Sequence, residues 1–239
     1  LLHIKKSIKI YLEFMLTLQK QCAPFLEKIQ GKCGFCVPLE PLVLYTTQNF
    51  YVVLSLGQIV EGYSLICSKL HRSCCGDIPI EQIDEFIKIK NLIKKIFGEV
   101  YNSKTIFYEH GQTGVCMRHL IDNMQNHCYH AHLHCLPCEV DIFDLIKEKV
   151  PNYIKITNFQ ELIELRNKKF RGGAYLFYEN KKEEKFVFPA EGLKLPRQFL
   201  RRCVAYKIGK PHLFDWERFP GWRRLARAYK KLRPLFSKV

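Results

Sequence analysis

His130, His132 and His134 stand at spacing two within the run 126–137, Asn-His-Cys-Tyr-His-Ala-His-Leu-His-Cys-Leu-Pro. Side chains alternate along an extended strand, so this spacing turns all three imidazoles to one face. Three bases crowded on one face repel each other when protonated. At least one therefore stays neutral near pH 7 and offers a lone pair to a metal ion or to phosphorus. Two chemistries are open at this point: a nucleophilic imidazole, or three ligands to a catalytic zinc. Upstream, Cys33 and Cys36 form a Cys-x-x-Cys with the donor chemistry of a zinc knuckle. The plainer alternative is a pair of small buried apolar residues. Cys74, Cys75, Cys116, Cys128, Cys135 and Cys138 could build a different site, although a strand would point Cys135 away from the histidines and into the core.

The elements that must position these groups can be read from spacing and punctuation. Apolar residues at helical spacing over 8–29, broken by Pro24 and ended by Gly31, predict an N-terminal helix. Phe50 to Leu54 and Tyr63 to Cys67, separated by Gly57 and Gly62, predict two adjacent strands. From Ile80 to Phe97 the stripe Ile83, Phe86, Ile87, Ile93, Ile96 and Phe97 predicts a helix stopping at Gly98. Strands follow over 104–108 and 129–136, the second carrying the histidines. Beyond Pro137, the segments 174–178 and 185–188 around a charged turn predict a peripheral hairpin. Helices are expected over 196–208 and 221–232, the latter ending before Pro234.

A chain of 239 residues with 47% hydrophobic content can bury a full core. No apolar run reaches the roughly 20 residues of a membrane span, and residues 1–6 show no cleavable-leader pattern, so a soluble protein is expected. Eleven cysteines, an odd number clustered near histidines, favour a reducing compartment such as the cytoplasm over a disulfide framework. The net charge of +15 is lopsided. From Lys194 onward fourteen Lys and Arg stand against Asp215 and Glu217, a net +12, leaving +3 for everything before. Aromatic residues, Trp216 and Trp222 among them, interleave with these cations, which suits a phosphate or nucleic-acid surface. It equally suits a helix whose apolar face docks on the core.

His130-Ala131-His132-Leu133-His134-Cys135-Leu136-Pro137 resembles the signature of the histidine-triad (HIT) superfamily. Supporting pieces stand in the same order: Cys33 and Cys36, the 54–66 strand-turn-strand, the strand end with His71, and Tyr108-Glu109-His110-Gly111. Together with 196–202 and Asp215-Trp216, the last piece is similar to a bacterial branch resembling diadenosine-tetraphosphate hydrolases. The likeness spans about Cys33 to Pro220.

The resemblance implies an α+β fold, a HIT-like antiparallel sheet of five strands with flanking helices, plus a C-terminal hairpin and helical extension. It divides the chain into an N-terminal helical segment (1–30), a HIT catalytic domain (31–145) and a basic extension (146–239). It implies a nucleotide hydrolase or nucleotidyltransferase in which His132 attacks the α-phosphate. His134 binds phosphate oxygens or assists the leaving group, and His130 orients His132 or serves a metal. Nucleotide contacts fall to Ser55, Leu56, Glu109, His110, Asn126 and His127. A structural zinc falls to Cys33, Cys36, His71 and His130. Ser55 stands where many relatives carry a ribose-binding aspartate, and Asn126 where many carry glutamine. Two other readings remain: a deadenylase acting on nucleic-acid ends through the basic tail, and a nucleotide-binding or assembly module without turnover. Many such proteins also pair as homodimers through the sheet.

Overall fold

The β-branched and aromatic runs pair into one antiparallel sheet in a computed structural model that describes residues 12–23, 33–112 and 129–238. Helix α1 covers 12–23 and buries Leu18 and Cys22. Strands β1 (Val43–Thr46), β2 (Phe50–Leu54) and β3 (Ser64–Ser68) follow, and β2 and β3 are fully buried along their length. Next come helix α2 (Ile83–Tyr101), β4 (Thr105–Gly111) and the histidine-bearing β5 (His132–Pro137). The second half holds α3 (Phe143–Lys149), β6 (Ile154–Ile156), α4 (Phe159–Glu164), β7 (Tyr175–Glu179), β8 (Lys185–Pro189), α5 (Phe199–Lys207) and α6 (Trp222–Phe236). This is the α+β class expected from the sequence, with the C-terminal hairpin and helices in place.

Among the described residues the sheet has eight strands, ordered β1-β2-β3-β5-β4-β7-β8-β6. The hairpin expected at the periphery instead continues the sheet. β7 pairs along β4 from Phe107↔Glu179 to Gly111↔Tyr175. The reason is visible in its composition: Tyr-Leu-Phe-Tyr-Glu is buried at every position, which an outlying ribbon could not achieve.

Two helix boundaries also differ. α2 runs through Gly98 and ends at Asn102, which takes the left-handed conformation (φ 46°) and donates its N–H to the Gly98 carbonyl. α6 continues past the expected stop to include Pro234 in its last turn. Its residues Leu225, Ala228, Leu232 and Phe236 recur at helical spacing and are buried, and Arg233 donates to the Val43 and Leu44 carbonyls of the edge strand β1. The apolar face of the basic tail is therefore docked on the core.

The two sheet faces have different tasks. Along β4, Phe107 and Glu109 face one way and Tyr108 and His110 the other. On the first face α2 places Lys90 Nζ 4.4 Å from the centre of the Phe107 ring and 2.6 Å from both carboxylate oxygens of Glu179. Both partners of this ion pair are buried, at 5% and 1% side-chain exposure. Removing one partner strands the other charge, so Lys90→Met is expected to destabilise the fold by about 3–5 kcal/mol. A denaturant midpoint for Lys90→Met beside the double variant Lys90→Met/Glu179→Leu checks this, since the double variant should recover most of the loss. The second face carries the histidines and is covered by α5 and the segment after it.

Candidate active site and metal cluster

β5 is held on both sides, by β3 through Leu65↔His134 and Cys67↔His132 and by β4 through Tyr108↔His134. Directly opposed residues share a face, so Leu65, Cys67, Tyr108, His132 and His134 lie together. His130 stands just before the strand, where Ala131 donates to the Arg72 carbonyl and accepts from the Ser68 amide. The three imidazoles are buried, and the His132 and His134 ring centres are 4.8 Å apart.

The ring and the main chain of His130 do separate jobs. Its carbonyl lies 2.6 Å from His132 Nδ1. A carbonyl can only accept, so Nδ1 carries the proton and the Nε2 lone pair of His132 is left free. Burial pulls the His132 pKa down to about 4, keeping the ring neutral. Phe35 stacks on it at 4.4 Å and 19°. The ring of His130 turns the other way: Nε2 donates to the Ser68 carbonyl at 2.8 Å, and Nδ1 lies 3.3 Å from Cys33 Sγ and 3.6 Å from Cys36 Sγ.

His71 Nδ1 lies 3.3 Å from Cys36 Sγ, and the donor atoms of Cys33, Cys36, His71 and His130 all fall within 4.8 Å of one another. Among the described residues this is the cluster able to hold a metal ion. Its donors fit zinc. Bonds of about 2.0–2.3 Å in a tetrahedron give edges of about 3.3–3.8 Å, and the outer hydrogen bond of His130 to Ser68 leaves the ligating nitrogen unprotonated. The knuckle also places Phe35, whose carbonyl accepts from the Tyr51 hydroxyl at 2.6 Å, against His132.

His134 is arranged differently. Its Nδ1 is 2.5 Å from the Tyr63 hydroxyl, which is 2.7 Å from the Tyr108 hydroxyl, and its ring stacks on Tyr108 at 4.5 Å. Its Nε2 is buried without a hydrogen-bond partner among the described residues. Burial, with the imidazoles of His132 and His110 and the guanidinium of Arg201 nearby, holds His134 well below the usual imidazole range.

His110 shares this face. Its Nε2 accepts the Leu200 amide at 3.0 Å, tying β4 to α5, and burial lowers its pKa to about 3. Ser55 is buried at the end of β2 with its hydroxyl donating to the carbonyl of half-buried Leu56. Asn126 and His127 lie outside the described residues, as do Cys116 and Cys128.

Glu109 does not join its expected partners. One residue away from His110 in a strand, it projects to the opposite face. There its carboxylate accepts from the Cys75 amide at 2.7 Å and the Tyr175 hydroxyl at 2.6 Å. Burial pushes its pKa up to about 7. A carboxyl with a folded pKa above its unfolded value contributes stability that is complete below about pH 4.5 and lost as pH rises through about 7. Wild type should therefore gain on Glu109→Gln by about 1–3 kcal/mol between pH 8 and pH 5. Chemical denaturation of both proteins at the two pH values measures the gain.

Sequence reading did not find Phe35, Tyr63, Tyr108 or Arg201. Phe35 sits inside the Cys-x-x-Cys, and Tyr108 lies two residues before His110, so alternation alone could have flagged it. Arg201 gives no local signal. Buried on α5, it donates from Nε to the Gln198 side chain at 3.1 Å and from Nη2 to the Gly57 carbonyl at 2.8 Å. Gly57 has φ +69° and lies so close to Trp216 and Arg201 that a Cβ would overlap both. Its amide donates to the Pro220 carbonyl at 2.8 Å, and Arg224 Nε donates to the neighbouring Gln58 carbonyl at 2.5 Å. The tail thus clasps the 55–63 loop.

An antiparallel sheet presenting a fixed, neutral imidazole lone pair next to a second neutral imidazole is suited to nucleophilic attack on a centre that carries anionic oxygens. No family model and no curated protein matches the chain. Solved structures are similar to it. A zinc-bound histidine triad family protein from Mycobacterium smegmatis is 19% identical over 44% of this chain and 74% of its own, with a TM-score of 0.33. A hypothetical histidine triad nucleotide-binding protein from Sulfolobus tokodaii is 16% identical over 57% and 96%, with a TM-score of 0.34. A yeast Ap4A phosphorylase in complex with AMP is 10% identical over 78% and 79%, with a TM-score of 0.42. The fold rests on the sheet and helices described above, and the chemistry of the site on its side-chain geometry. Among the described residues no helix is long and apolar enough to cross a membrane.

Proposed function

We propose that this chain is a histidine-triad enzyme, a nucleotide hydrolase or nucleotidyltransferase acting at the α-phosphate of a nucleoside polyphosphate or nucleotidyl conjugate of the diadenosine-polyphosphate kind. The observation that supports it most is the 2.6 Å bond from His132 Nδ1 to the His130 carbonyl, which leaves Nε2 as a free lone pair on the site face. In the first step that lone pair forms a bond to phosphorus while the bond from phosphorus to the leaving oxygen breaks. Water or another acceptor hydroxyl then attacks the phosphorus. It gives up its proton as the N–P bond breaks, and the His132 lone pair is restored.

The buried Nε2 of His134 faces the oxygens of the same phosphate. Ser55, Leu56 and His110 take contacts to the nucleotide; the roles expected of Asn126 and His127 fall outside the described residues. Zinc held by Cys33, Cys36, His71 and His130 supplies structural chemistry: it fixes the knuckle and through it Phe35.

The nucleic-acid reading draws less support. Arg201, Arg224, Arg227, Lys231 and Arg233 are engaged within the chain, Arg227 and Lys231 both on Glu61 at 2.5 and 2.8 Å. Incubation with a radiolabelled dinucleoside polyphosphate, followed by a quench, is expected to trap an alkali-stable, acid-labile nucleotidyl adduct. Nucleotide binding by the metal-loaded protein without adduct or turnover would reject catalysis in favour of a binding module.

A further inference from the structure

We infer that Tyr63 is a positioning residue that fixes His134 as a neutral Nε2–H donor aimed at a phosphate oxygen, which makes His132 and His134 opposite tautomers. The inference deepens the proposed function and rests on it for the identity of the oxygen. Tyr63 is wholly buried, and its hydroxyl touches both His134 Nδ1 at 2.5 Å and the Tyr108 hydroxyl at 2.7 Å. The hydroxyl protons can run in more than one direction along this chain. If Tyr108 donates to Tyr63 and Tyr63 to Nδ1, both protons are used inside the chain, and the remaining proton of His134 sits on Nε2. The reverse direction places the His134 proton on Nδ1 and sends the Tyr108 proton to an acceptor outside the three groups.

Arg201 favours the first direction. Its guanidinium carbon is 5.0 Å from the centre of the Tyr63 ring. A cation over a phenol face draws electron density from the ring, which makes the hydroxyl a better donor, and it disfavours a second proton on His134 beside it. Arg201 is itself held by Gln198 and by the Phe214 and Gly57 carbonyls, so the C-terminal segment fixes the tautomer from outside the histidine strand.

The Nε2 end supplies the second observation. It is buried, has no partner among the described residues and belongs to a ring locked by stacking on Tyr108 at 4.5 Å and 20°. A buried polar group without a partner is destabilising, a penalty that a ligand oxygen would relieve. The His132 carbonyl partner and the His134 hydroxyl partner therefore divide two neighbouring, chemically identical rings into a nucleophile and a hydrogen-bond donor. The donor stabilises charge growing on the phosphate without transferring its proton.

Long-range 1H–15N spectra of the histidine rings in the intact protein test this. His134 is expected in the Nε2–H form, with that signal moving when AMP is added. Tyr63→Phe should shift His134 at least partly to the Nδ1–H form and lower kcat on a dinucleoside polyphosphate by about 10–100-fold with KM nearly constant. Tyr108→Phe, which keeps the Tyr63 contact, should leave the tautomer in place. Wild-type His134 in the Nδ1–H form, or a tautomer unchanged in folded Tyr63→Phe, would overturn the inference even if the enzyme is active. A wild-type Nε2–H signal that moves with AMP in a protein without turnover would uphold it while the catalytic reading fell. Should Tyr63→Phe not fold, the wild-type spectrum alone decides.

Discussion

His132→Ala is expected to abolish the trapped nucleotidyl adduct and to lower kcat by about 10⁴–10⁶-fold, the range seen when a covalent nucleophile that works as part of a unit is removed. The fold should survive. His132 lies on a strand held by β3 and β4, and its side chain donates to the His130 carbonyl, which water can satisfy once the ring is gone. Nucleotide affinity should change far less than rate, because the lone pair acts on phosphorus only as the transition state forms. His134→Gln makes a useful contrast. It retains a donor near the Nε2 position and removes no nucleophile, so adduct formation should persist at a rate reduced by about 10²–10³-fold. Quenched labelling, with AMP affinity measured on each variant, separates the two residues. Equal adduct yields from wild type and His132→Ala would end the assignment of His132.

Stripping zinc is the second large effect expected. A metal that binds only the folded chain contributes RT ln(1 + [L]/Kd), about 4 kcal/mol at a thousandfold excess over Kd. In a chain of this size that corresponds to a fall in Tm of about 8–16 °C on chelation. The double variant Cys33→Ser/Cys36→Ser should purify with no zinc and melt with chelated wild type, while wild type should carry one ion per chain by elemental analysis. Activity should fall as well, because freeing the knuckle releases Phe35 from its 4.4 Å stack on His132. Phe35→Ala separates the two consequences: zinc and Tm largely retained, kcat reduced by about 3–10-fold through loss of the packing that orients the nucleophile. A metal-free wild type with unaltered melting would remove zinc from the account.

Much of the site was legible because short-range rules decide it. Spacing two on a strand requires a common face, and His132 and His134 share one; alternation also explains why Glu109 parts company with His110. Spacing alone did not reveal that His130 sits just outside the strand, where its ring can turn to Cys33 and Cys36 while its carbonyl stays with His132. The Cys-x-x-Cys was legible as a donor pair and His71 only through the family resemblance, while their convergence depends on chain closure over 35 to 97 residues. The helix stop at Gly98 was misread because glycine only permits a left-handed cap; Asn102 is the residue that adopts it.

By itself the sequence determined the strand and helix segments, the histidine face and the Cys-x-x-Cys donors, since each follows from local periodicity or side-chain chemistry; the α+β class came from the family resemblance that the histidine motif carries. Tertiary structure alone decided that the C-terminal hairpin extends the sheet and that α6 docks its apolar face on β1. It also brought Arg201 from 144 residues away to the Gly57 carbonyl and over Tyr63. Nothing local distinguishes a cation destined for solvent from one buried beside an imidazole. That outcome depends on which distant groups surround it after the chain has folded, and those same groups set the proton on each histidine.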